Sequence, residues 1–157
     1  MKEKKHRLPD VFYTGGVAAV FTLCCMGKQE FFVNEKPIAK CLEILKTEIS
    51  VYNVKNWAYV FMPDHMHMIL QGMSTESSLT NLVKAFKQKT AYQIKNKINN
   101  KFKWQPDYYD HIIRSEQELC KHIKYVFENP VRKGLVERWQ DYKYCGSLST
   151  NNKTAAG

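Results

Sequence analysis

Two runs rich in apolar, β-branched and aromatic residues, Val54 to Met62 and His65 to Gly72, are separated only by Pro63-Asp64. That spacing predicts a β-hairpin, because so short a Pro-Asp connection suits a tight turn between antiparallel strands. The second run alternates along its length. Met66, Met68 and Leu70 point to one side, and His65, His67 and Ile69 to the other. The methionine side needs a cover, so the rest of the chain must supply one.

The flanking segments provide it. Val17 to Cys25 reads as another strand, short and rich in β-branched and aromatic residues. Ile38, Leu42, Leu45, Ile49 and Tyr52 recur at helical spacing, which predicts a helix from Lys36 to Tyr52 with Pro37 in its first turn. Ser77 or Ser78 caps a second helix running to Lys97, with Leu79, Val83, Phe86 and Thr90 on its inner face. A short strand follows over Tyr109 to Ile113. Ser115 and Glu118 form a capping box for a third helix, expected to stop at Asn129 because Pro130 disfavours helical geometry in the residue before it. This order predicts an α+β fold, a ferredoxin-like antiparallel sheet with helices on one face. The expected organisation is one domain over residues 1–157, with an ordered core from about residue 11 to 146. Met1 to Gly16 reads as loosely held and residues 147–157 as a flexible tail.

Charge points to the partner. The 157 residues carry 24 Lys plus Arg against 15 Asp plus Glu, a net charge of +9, which suits a polyanion such as nucleic acid. No acid occurs between Glu76 and Asp107, while Lys84, Lys87, Lys89, Lys95, Lys97, Lys101 and Lys103 all fall there. Phe102, Trp104, Tyr108 and Tyr109 follow closely. Lysines beside flat rings suit a single strand, since phosphates meet charge and bases meet stacking surfaces. A solvated helix face with core aromatics would give the same pattern. With Arg114, the residues Lys84, Lys87, Lys95, Lys101 and Lys103 are the candidate nucleic-acid contacts.

Other classes fall away. The longest apolar run, Val17 to Met26, is about half the ~20 residues that a membrane helix needs, so no membrane partner is expected. Five cysteines, an odd count without a C-x-x-C pair, suggest neither a disulfide framework nor a cysteine zinc site. The expectation is a cytoplasmic protein.

Two constellations can carry chemistry. His65 and His67 lie at i and i+2 on a strand, so both imidazoles can reach one metal ion. Two strand histidines in ordinary hydrogen bonds are the plain alternative. On the last helix Leu119, Ile123 and Val126 form the apolar stripe, and Tyr125 is followed at i+4 by Asn129. That spacing lets a phenol and an amide oxygen approach the same metal, although Asn129 could equally be a cap before Pro130. His111 and His122 are further candidate ligands or proton carriers, and Tyr108 and Tyr109 are alternative nucleophiles outside the capped helix.

Taken together, three segments resemble a family. Val60-Phe61-Met62-Pro63-Asp64-His65-Met66-His67, then Trp104-Gln105-Pro106-Asp107-Tyr108-Tyr109-Asp110-His111-Ile112-Ile113-Arg114, then Tyr125-Val126-Phe127-Glu128-Asn129-Pro130-Val131 are similar in order and spacing to the REP-associated tyrosine transposases. Those are bacterial single-tyrosine HUH proteins, HUH denoting His, hydrophobic residue, His. The resemblance spans roughly Val11 to Tyr144. It implies the ferredoxin-like fold with a tyrosine-bearing helix at the HUH active site, His65, His67 and Asn129 as ligands of Mg²⁺ or Mn²⁺, and Tyr125 as the nucleophile. The implied reaction is cleavage and rejoining of single-stranded hairpin or repeat DNA through a 5′-phosphotyrosine. A hairpin-binding protein of the same fold without catalysis is the rival, and a metal-dependent hydrolytic nuclease is a third reading. A homodimer, with the tyrosine helix completing its own site or a neighbour's, is compatible with all of them. The chain departs from the family at Trp139 to Ser147, where relatives carry a Trp and Ser-rich segment, and near its first strand, where relatives carry arginines. Both departures bear on DNA sequence preference.

Overall fold

The computed structural model describes residues 7–148. Its elements run β1 (Ala18–Cys24), α1 (Glu35–Val51), β2 (Val54–Met62), β3 (His65–Gly72), α2 (Leu79–Lys97), β4 (Tyr109–Ile113), α3 (Glu116–Arg132) and β5 (Cys145–Gly146), with short 3₁₀ turns between some of them. The strands form one antiparallel sheet in the order β4-β1-β3-β2-β5. Its first four positions carry the ferredoxin-like order. The hairpin closes as its sequence predicts, with Met62 opposite His65 across Pro63-Asp64. β3 becomes the central strand, flanked by β1 and β2.

The two faces of the sheet hold two cores. Phe21, Leu23, Phe61, Met66, Met68 and Leu70 face α1 and α2, where they meet Leu45, Ile49, Leu82 and Phe86. Thr90, a polar residue on the inner face of α2, is satisfied there. Its hydroxyl donates to Phe86 O at 2.7 Å and accepts from the Trp104 indole at 2.8 Å. Trp104 thereby ties the segment after α2 into the core, against Phe32 and Phe102. α3 lies across the other face, with Leu119, Ile123 and Val126 on Ala58, Val60, Ile69 and Ile113. The histidine side of β3 is therefore the α3 side.

α3 starts as its capping signal predicts, since Ser115 Oγ accepts from Glu118 N at 3.1 Å. Its end is a correction. The helix passes Pro130 and continues to Arg132. It stops at Gly134, whose φ of 72° is the left-handed value glycine tolerates. Gly134 N donates to Val131 O and Leu135 N to Pro130 O, the paired bonds of a Schellman cap. Proline disfavours helix in its predecessor without forbidding it, and here Pro130 is buried while its carbonyl accepts from the cap at Leu135 N.

The amino-terminal segment is also held where looseness was expected. Tyr13 is fully buried, with its hydroxyl on the Asp110 carboxylate. Arg7 pairs with Asp107 at 2.8 Å and lies 3.8 Å over the Tyr108 ring. At the other end, β5 pairs with Tyr59 and Val60, and Leu148 N donates to Asn56 Oδ1 at 2.9 Å, so residues 147 and 148 are tied to the sheet. Residues 1–6 and the rest of the expected tail, 149–157, lie outside the described residues. All five cysteines are free thiols. Among the described residues, no helix is long and apolar enough to cross a membrane.

Candidate active site

Strand alternation places His65 and His67 side by side on the α3 face, their rings 4.8 Å apart and nearly perpendicular. Each ring is oriented through Nδ1. Asp64 Oδ1 lies 2.6 Å from His65 Nδ1, and Thr22 Oγ1, directly across β1, lies 2.7 Å from His67 Nδ1. With Nδ1 of each ring engaged, Nε2 is the atom open to a ligand, the arrangement that metal-binding histidines use. The donor set fits a divalent ion on that ground.

Burial, helped by His65 and Arg132, lowers the His67 pKa to about 3, so its imidazole is neutral as a ligand must be. The sign of the resulting pH dependence follows. Unfolding returns His67 to its ordinary value near 6.5, so the unfolded chain holds more protons between that pH and about 3. The contribution to stability is complete above about 6.5 and is lost as pH falls through that window. Melting curves of the chelator-treated protein are expected to shift downward on acidification, and the His67→Gln variant to show a flatter dependence. An equally steep dependence in His67→Gln would assign it to other groups.

α3 brings the tyrosine to the same place. The Tyr125 ring stands 6.4 Å from the His67 ring, edge to face. It is 53% exposed, so its hydroxyl is accessible to a substrate. Asn129, one turn on, is only 4% exposed and faces the sheet. Among the described residues, its side-chain amide makes no hydrogen bond.

The alternative tyrosines separate cleanly. Tyr108 points to the α1 and α2 face, against Phe21, and burial raises its pKa to about 12. Tyr109 lies opposite Thr22 and so shares the histidine row, but its hydroxyl is buried. Tyr125 combines exposure with proximity to His67. Sequence reading missed Arg132, whose guanidinium sits 3.8 Å over the Tyr125 ring while its Nη2 donates to Tyr125 O at 3.0 Å. The i+7 spacing, two helical turns, is the signal that could have found it.

The basic residues are distributed differently from the histidines. Lys84, Lys87 and Lys103 line a groove of about 610 Å³ between α2 and residues 103–108, together with Arg7, Trp104 and Tyr108. This groove belongs to the α2 side of the sheet. Gln105 N donates to Cys24 O at 2.8 Å, and Cys24 pairs with His65, so the groove wall is tied to the sheet end that holds His65. Lys87 is engaged within the fold, donating to the carbonyls of Gln105, Pro106 and Asp107 at 2.8, 3.1 and 3.2 Å. Lys84, Lys95, Lys101, Lys103 and Arg114 are exposed.

Comparisons with known proteins place this geometry. The family described as "Transposase IS200 like" matches residues 17–129, a stretch containing His65, His67, Tyr125 and Asn129. A Haemophilus influenzae protein named as a REP-associated tyrosine transposase is 24% identical over 142 residues, covering 84% of this chain and 80% of its own. The REP-associated tyrosine transposase of Escherichia coli K12 is 28% identical over 87 residues, 55% of this chain and 50% of that protein. A solved REP-associated tyrosine transposase bound to a REP hairpin superposes with a TM-score of 0.75 at 19% identity, covering 98% of this chain and 86% of the other. With a family match running from β1 to the amide that follows the tyrosine on α3, the chain belongs to the IS200-like transposases.

Proposed function

We propose that this transposase cleaves and rejoins single-stranded DNA, with Tyr125 as nucleophile and His65, His67 and Asn129 as ligands of Mg²⁺ or Mn²⁺. The observation that carries the reading is the meeting of an exposed phenol with two pre-oriented imidazoles, 6.4 Å ring to ring from His67. A divalent ion held there supplies Lewis-acid polarisation of the scissile phosphate. The remaining work belongs to the chain. The Tyr125 oxygen attacks phosphorus, its proton leaves to solvent, and the bond from phosphorus to the 3′ oxygen breaks. The products are a 5′-phosphotyrosine and a 3′-hydroxyl that takes up a proton. Because the linkage conserves a phosphodiester, attack by a 3′-hydroxyl on it rejoins a strand and releases the phenol. Arg132, stacked on the Tyr125 ring, offsets negative charge at the phenol and the phosphate.

The structural relative bound to a REP hairpin supports hairpin-forming DNA as the substrate. Lys84 and Lys103 in the groove, with Lys95, Lys101 and Arg114 beyond it, form the proposed contacts to the backbone. Lys87 contributes by holding residues 105–107 in place beneath that path. Affinity should fall steeply with salt, and each phosphate contact removed should lower the log–log slope by about 0.7. The doubly substituted Lys84→Ala, Lys103→Ala protein is expected to show a shallower slope in fluorescence-anisotropy titrations; an unchanged slope would place the strand elsewhere.

The test of the reaction is incubation with Mn²⁺ and single-stranded hairpins, followed by denaturing electrophoresis. The expected result is a protein–DNA adduct linked to the 5′ side of the break. Cleaved product without an adduct would indicate a hydrolytic nuclease. Hairpin binding without cleavage would indicate a binding protein.

A further inference from the structure

A second cluster of imidazoles sits where β4 meets the first turns of α3, and the proposed reaction does not use it. His111 shares a strand face with Ile113 and so looks toward α3. Glu118 and His122, four residues apart, lie above one another on that helix. One ligand atom from each of the three comes within 4.8 Å of the others. Glu118 Oε1 lies 2.6 Å from His111 Nε2 and 3.9 Å from His122 Nε2, and the two rings stand 5.1 Å apart. A single hydrogen bond accounts for His111 with Glu118. It does not account for a second imidazole aimed at the same carboxylate oxygen.

We propose that His111, Glu118 and His122 form a second metal site, for a transition ion of the zinc class, which pins the start of α3 to β4. The donor types select the ion. Two imidazole nitrogens and one carboxylate form a three-ligand zinc set with room for water. The spacing is within reach. Bonds of about 2.0–2.2 Å separate tetrahedral ligand atoms by roughly 3.4 Å, so the close His111–Glu118 pair opens by under ~1 Å and His122 moves inward. The His111 side chain is 56% exposed and those of Glu118 and His122 are near 30%, which leaves a solvent-facing position for water. Burial, and then neighbouring His111, lowers the His122 pKa, which favours the neutral form a metal binds.

The placement gives the site a positioning role. His122 lies three residues before Tyr125 on the same helix. An ion joining that turn to the edge strand restrains the helix that carries the tyrosine. The site stands independently of strand transfer, and its test does not read catalysis.

The experiment uses the chelator-stripped chain, Zn²⁺ titrations by calorimetry and metal analysis after dialysis. A His65→Ala, His67→Ala protein isolates the new site and is expected to retain one Zn²⁺ per chain. Adding His122→Ala should weaken that binding at least ~10-fold and abolish the rise in melting temperature that Zn²⁺ produces. Adding His111→Asn instead, at a more exposed position, should do the same and covers the case in which the His122 variant folds poorly. Co²⁺ should show the visible bands of a nitrogen and oxygen tetrahedral site, lost in both variants. Loss of all Zn²⁺ binding in the His65→Ala, His67→Ala protein would overturn the proposal, as would binding indifferent to His111 and His122.

Discussion

Tyr125→Phe is expected to give no denaturation-resistant protein–DNA adduct while binding hairpins as the native protein does. The substitution removes one oxygen from a side chain that is 53% exposed, so little packing is lost. The ring keeps its place beside His67 and beneath Arg132. Stability should therefore change by no more than about 0.5 kcal/mol, the usual range for surface positions. The chemical loss is of another order. Without the nucleophile no covalent intermediate forms, and strand transfer should fall by at least ~10³-fold. Tyr109→Phe is the companion variant, because Tyr109 shares the histidine row across β1. Its buried hydroxyl predicts retention of the adduct. An adduct that survives in Tyr125→Phe and disappears in Tyr109→Phe would move the nucleophile to the strand.

The second large effect is expected at His67. His67→Ala removes one of two central donors and leaves the Thr22 hydroxyl without its partner across β1. Metal-dependent cleavage should drop at least ~10²-fold, with hairpin binding spared because the exposed lysines lie elsewhere. Thr22→Val separates ligation from orientation. It keeps both imidazoles and frees only the Nδ1 side of His67, so a loss of about 10–100-fold in metal affinity is expected. Raising Mn²⁺ should then rescue Thr22→Val and leave His67→Ala inactive. Cleavage by His67→Ala at the native rate would remove the histidine pair from the reaction.

Much of this site is readable along the chain because its parts follow backbone periodicity. A strand repeats every two residues, so the side on which His65 and His67 stand is settled once Met66, Met68 and Leu70 are known to be core. A helix repeats every 3.6, so Asn129 must lie one turn beyond Tyr125. The Ser115 cap is visible for the same reason, being a contact across three residues, and the structure chooses Ser78 over Ser77 for the other helix. Prolines and glycines were harder to weigh. Pro130 reads as a stop, yet the helix runs past it, buried there and closed by the Schellman cap at Gly134.

The residues that escaped sequence reading meet across long separations. Arg7 reaches Asp107, and Tyr13 reaches Asp110, so residues 7–13, in a stretch that reads as loosely held, are part of the fold. Lys87, one of several lysines in an acid-free stretch, differs from its neighbours only because three carbonyls of another segment converge on it. His111 and His122 are candidate ligands in the sequence, but that Glu118 joins them depends on an edge strand passing beneath a helix start. The sequence alone determined the strands β1 to β4, the existence of the three helices and the sense of side chains such as Met66, His67 and Val126, since these depend on neighbours a few residues away. Which sheet face each helix took, and hence the meeting of Tyr125 with the histidines, was decided only by tertiary structure. Local periodicity orients a side chain relative to its own element; bringing two elements to one point depends on burying both faces of the sheet at once.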